Sequence, residues 1–158
     1  MMKTVLLLGL TTSMALAWFA PRLGLGHDDS NNIDKSYVRD DKKEVVVDTK
    51  HNKMYYDAAP LGKMSFPKAQ KRCEKMNYLG HTNWRVPSKK ELRSLLENSR
   101  RGVTIKHAFK HVQEDLYWSG TPDRYDKAWY FDFDLGRYGS REQKHEFNLF
   151  CVRDFGKK

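Results

Sequence analysis

Basic side chains are the residues of this sequence with the clearest chemical potential. Between Lys63 and His111 the chain carries thirteen Lys and Arg against three acids, Glu74, Glu91 and Glu97. That segment holds +10 of formal charge, while the rest of the 158 residues holds −1 of the total of +9. Charge gathered in one segment suits an anionic partner better than uniform basicity does. Lys68, Lys71, Arg72 and Lys75 recur at i, i+3, i+4 and i+7, so a helix would carry them on one side. Lys89, Lys90, Arg93, Arg100, Arg101, Lys106 and Lys110 make a second group. The expected ligand contacts are Lys68, Lys71, Arg72, Lys75, Lys89, Arg93, Arg100 and Arg101. Sulfated or carboxylated polysaccharides, anionic lipid head groups and nucleic acids all answer to such surfaces. The bland alternative is a solvated cationic face.

Other combinations offer less. His107 and His111 stand at i, i+4 and on a helix would suit a metal, but no third ligand follows at a motif spacing, and Lys106 and Lys110 would repel a cation. No metal or cofactor is expected. Asp132 and Asp134 alternate with aromatics and read as the polar face of a strand rather than an acid/base pair. The sequence contains no nucleophile elbow, phosphate loop or histidine–metal helix motif. An enzyme is therefore not expected.

The elements that must position these residues follow an export signal. Lys3, the apolar run Thr4 to Leu10 and the small-x-small triplet Ala15-Leu16-Ala17 read as a cleavable signal over residues 1–17. The run is too short and too broken by Thr11, Thr12 and Ser13 for a good membrane span. The mature protein is expected in the periplasm or outside the cell, with no stable span after cleavage. Residues 18–43 are polar and mixed in charge and read as a linker or arm. The folded domain is expected over 44–158. Its two cysteines, Cys73 and Cys151, form an even pair in an exported chain, which points to a disulfide.

Within that domain "EVVVD" (44–48) and "KMYYD" (53–57) read as a hairpin. A helix is predicted from Ser65 to Asn77, with Phe66, Ala69, Cys73 and Met76 turned to the core. Ser88 and Glu91 form a capping box that opens a second helix, and Leu92, Leu95 and Leu96 supply its buried stripe. Pro87 keeps Val86 extended and outside that helix. Residues 116–120, 128–134 and 146–154 are strand candidates, with Gly136 and Gly139 flanking a turn. Helices early and strands late, with one Cys in each, predict an α+β domain stapled from the first helix to the last strand.

The order of "VVVDTKHNKMYYD", "NWRVPSKKEL", "YWSGTP", "AWYFDF" and "CVR" resembles the Lcl C-terminal domain family of bacterial exported proteins. The resemblance runs from about Glu44 to Arg153. It implies a C-type-lectin-like fold with two helices, small antiparallel sheets, neighbouring termini and a Cys73–Cys151 bridge. It also implies a binding module rather than a catalyst. Trp84, Arg85 and Pro87, with Trp118 and Trp129, fall on family motifs and are expected to hold the structure together. Asn83 replaces the family's usual acid, and Phe150 stands where Arg is common; both are expected to alter a surface. No Glu-Pro-Asn or Trp-Asn-Asp triplet is present, so a calcium–sugar site is not expected. Two partners remain: an anionic polymer, with a glycan favoured, and another envelope protein docked on the domain. Formylglycine-generating oxidases share the broader fold, but their chemistry needs the reactive cysteines that a staple would consume.

Overall fold

The structure is a computed structural model that describes residues 35–99 and 102–156, without the side chains of residues 98, 99 and 102–104. The export signal expected over 1–17, residues 18–34 of the expected arm, Arg100 and Arg101 lie outside the described residues. Two larger sheets, a two-stranded one and two short helices form an α+β architecture among the described residues.

The first sheet has the order β1-β2-β3-β11, from Tyr37–Asp40, Val45–Asp48, Lys53–Tyr56 and Val152–Asp154, all antiparallel. The predicted hairpin is its centre. Asp48 shapes the turn, its Oδ1 accepting from the backbone N–H groups of Lys50 at 3.0 Å and His51 at 3.1 Å. The reading of 18–43 as an arm needs correction at its end. Tyr37 to Asp40 pair with Asp48 to Val45, and Tyr37 buries its ring in the core. One alternating quartet within a charged stretch gave too little apolar period to register as a strand.

The second sheet has the order β4-β10-β7-β8-β9, from Lys63–Met64, Phe147–Asn148, Leu116–Pro122, Lys127–Asp132 and Arg137–Glu142. All its pairs are antiparallel except β10 with β7. A separate hairpin joins β5 (Leu96–Ser99) to β6 (Gly102–Ile105). The run 146–154 is therefore two strands, one in each main sheet. Leu149, Phe150 and Cys151 are all buried as the chain crosses between them, so alternation gives way to continuous burial. Phe150 stacks on Tyr117 at 4.9 Å and is 4% exposed. It enlarges the core, contrary to the expectation that it alters a surface.

The helices cover opposite faces of the second sheet. Tyr117 pairs with Phe131, and both join Leu92 and Leu95 of α2 (Lys89–Ser94) in one core cluster. Trp118 pairs with Tyr130, and this face packs on Phe66, Ala69 and Cys73 of α1 (Phe66–Glu74). Successive residues of a strand point to opposite faces, so one aromatic pair serves each helix. The expectation of one aromatic and one polar face on residues 128–134 thus fails for Tyr130. Gly139 lies within β9 rather than at a turn: a Cβ there would come within 2.2 Å of the Tyr130 ring. Gly136 does sit in the turn, at φ +63°.

The disulfide joins Cys73 of α1 to Cys151, one residue before the last strand, with Cα atoms 5.5 Å apart.

Candidate functional site

The Trp-Arg-Val-Pro stretch holds the two halves together. Trp84 is 2% exposed, and its indole N–H donates to the His81 carbonyl at 2.9 Å. Arg85 exchanges two backbone hydrogen bonds with Val152 of β11, at 2.9 and 2.8 Å. Its guanidinium grips the Glu91 carboxylate at two points, 2.8 and 2.7 Å. Glu91 also accepts from the Ser88 N–H at 2.8 Å, and the Ser88 hydroxyl receives the Glu91 N–H, which completes the capping box. Burial pushes the Glu91 carboxyl upward, but Arg85 and Ser88 outweigh it and hold the pKa at about 2. Pro87 is buried and its carbonyl accepts from Gly120 N–H at 2.8 Å. Gly120 permits that approach, since a Cβ would lie 2.6 Å from the Val86 oxygen. Trp118 is fully buried and donates to the Met64 carbonyl at 2.7 Å. Asn83 accepts from Arg153 Nε at 2.8 Å near the surface.

The basic residues divide according to their environment. Lys68, Lys71, Arg72 and Lys75 are all exposed along α1, on the side away from Phe66, Ala69 and Cys73. None of the four has an ion-pair partner among the described residues. Lys71 and Arg72 stand in the last helical turn, where positive charge also complements the helix dipole.

The second group does not join this strip. Because α1 and α2 lie on opposite faces of one sheet, Lys90 and Arg93, though exposed, look away from α1. The two groups read from the sequence therefore stay apart, a strip on α1 and a separate surface on α2. Lys89 is half-buried with its ammonium 3.6 Å from the centre of the Trp129 ring. That contact makes Trp129 a packing partner and removes Lys89 from any free strip. Lys106 is 8% exposed beside the Tyr37 ring. Lys63 pairs with Asp115 and Lys110 with Asp41, each at 2.7 Å. Acids distant in sequence thus neutralise part of the charge that the Lys63–His111 segment carries on paper.

The remaining candidates take structural places. His107 and His111 lie in a turn-rich segment, not a helix. The His111 N–H donates to the buried Asp57 carboxylate at 3.1 Å. Asp132 accepts from Leu135 N–H at 3.0 Å in the turn after β8. No group of three or more potential metal ligands occurs among the described residues.

An α+β domain with two small sheets, a helix-to-strand disulfide and a Trp-Arg-Val-Pro brace defines a recognisable class of domain. The chain belongs to the Lcl C-terminal domain family, whose model matches residues 36–153. The match begins with β1, in agreement with the earlier start of the fold. No curated protein matches the chain.

Proposed function

We propose that this is an exported, non-catalytic binding domain of C-type-lectin-like fold, and that it holds an anionic polymer on the exposed face of α1. The polymer class is a sulfated or carboxylated glycan met at the bacterial cell envelope. One observation carries the reading: four cations occupy one helical face, all exposed and without ion-pair partners among the described residues. Exposed charges of this kind contribute little to folding, but a polymer with regularly spaced anions can engage several at once. The Cys73–Cys151 bridge occupies both cysteines of the chain, which leaves an oxidase reading without its thiols.

Chromatography on immobilised heparin, beside a neutral polysaccharide, tests the proposal. Heparin stands in for any sulfated or carboxylated polymer. Retention on heparin alone, lost as salt rises, is the expected result. Passage straight through heparin near physiological salt overturns it.

Docking of another envelope protein is the second reading. Tyr125 favours it, being 92% exposed in the β7–β8 connection with φ at +61°, a conformation uncommon for a bulky residue. Association with envelope protein that survives high salt would identify this mode.

A further inference from the structure

On its α1 side the second sheet carries a row of donors that the helix does not cover. Phe66 of α1 packs on Trp118 of β7, and β9 lies two strands further out, at the edge of the sheet. Gly139 of β9 pairs with Tyr130 and Arg141 with Ala128, and both partners belong to the core cluster beneath α1. Residues 137, 139 and 141 therefore share the α1 face. Arg137 and Arg141 are exposed there, about 13 Å apart along the strand, and neither has an ion-pair partner among the described residues.

Tyr130 fills the gap between them. A Cβ on Gly139 would come within 2.2 Å of both Cζ and the hydroxyl oxygen of Tyr130, so the absence of a side chain lets this hydroxyl sit over the edge strand. Tyr130 is half-buried, and its hydroxyl has no hydrogen-bond partner among the described residues. Arg141 faces the buried Ala128 across the strand pair, and Glu142 beside it points to the other face and pairs with Lys144. Arg137 is opposed by Asp132, whose Oδ1 accepts the Leu135 N–H, so Arg141 is the freer of the two cations. A guanidinium and a neutral phenol both offer N–H or O–H donors to an anion.

This row is continuous with α1. The rings of Phe66, Trp118, Phe147 and Tyr130 follow one another at 5.5, 4.5 and 4.9 Å. The Phe66 N–H also donates to the Gln143 carbonyl at 3.0 Å, just past the end of β9.

We propose that the polymer held by the α1 strip runs on over this edge, where Arg141 and the Tyr130 hydroxyl take one of its anionic groups and Arg137 a neighbouring one. The inference rests on the reading of α1 as a polyanion site and extends that site across the sheet, not towards α2.

Calorimetric titration of the full chain with a heparin decasaccharide tests it. Tyr130→Phe keeps the ring against Gly139 and should weaken binding about tenfold, the usual effect of losing a hydrogen bond to a charged group. Arg137→Glu with Arg141→Glu should weaken it further. Lys50→Glu with Lys90→Glu makes the same change in net charge at exposed positions in the β2–β3 turn and on α2. At physiological salt this control should stay within about twofold of wild type, because distant charges are screened. Thermal midpoints near wild type identify each variant as folded. No binding by wild type would overturn the α1 reading and this extension together. The extension alone falls if wild type binds and reversal of Lys71, Arg72 and Lys75 to Glu abolishes binding, yet the Arg137/Arg141 variant is no weaker than the Lys50/Lys90 control or Tyr130→Phe equals wild type.

Discussion

Arg85 and Glu91 meet at the start of α2 through two parallel nitrogen–oxygen contacts of 2.8 and 2.7 Å. The same arginine is bridged through its backbone to Val152 of β11. One residue therefore fastens a helix N-terminus to the last strand. This fork geometry suits guanidinium and not ammonium. Arg85→Lys should lower the denaturation midpoint even though charge is conserved, and a midpoint equal to wild type would deny the fork its role.

The pair also sets an acid limit. Glu91 titrates at about 2 in the folded protein against an ordinary value of 4.5. The unfolded chain takes up this proton first as pH falls. Stability from the group is thus complete above about pH 4.5 and is lost as the pH drops towards 2, by about 2 kcal/mol after allowance for solvent screening. Urea unfolding between pH 7 and pH 3 should show a shallower decline for Glu91→Gln than for wild type, from a lower starting value.

Ser88→Ala removes the hydroxyl that receives the Glu91 N–H. It should cost about 1 kcal/mol. An unchanged urea midpoint would mean that Glu91, anchored by Arg85, caps the helix alone.

Reduction of Cys73–Cys151 opens a loop of 78 residues. The chain-entropy model gives a loss of about 4 kcal/mol. Thermal unfolding with and without reductant measures it, and coincident curves would show that the bridge adds nothing to the packing of α1.

Gly139→Ala places a methyl group against the Tyr130 ring. Overpacking of this kind costs about 1–3 kcal/mol. Pairing it with Tyr130→Ala should recover part of the loss, and two independent, additive penalties would place the conflict elsewhere.

Local signals in the sequence carried furthest where neighbours in the chain are also partners in space. The Ser88/Glu91 box, the β2–β3 hairpin and the buried stripe of α1 are all of that kind. Cys73 and Cys151 were legible as the only two cysteines of the chain. Relationships across the chain were not legible. That α1 and α2 take opposite faces follows from Tyr117 and Trp118 pointing apart in a sheet whose strand order no local pattern gives. Lys89 reads as a free cation until Trp129, forty residues on, is placed beneath it.

The most direct test of the α1 strip is the salt at which the protein leaves immobilised heparin, measured for wild type and for the chain with Lys71, Arg72 and Lys75 reversed to Glu. A polyanion laid across the strip displaces bound counterions, so affinity should fall steeply with salt, by analogy with nucleic acids. Wild type should be retained near physiological salt and the triple variant should not, with thermal stability nearly unchanged because these side chains are exposed. Elution of both proteins at the same salt would contradict it.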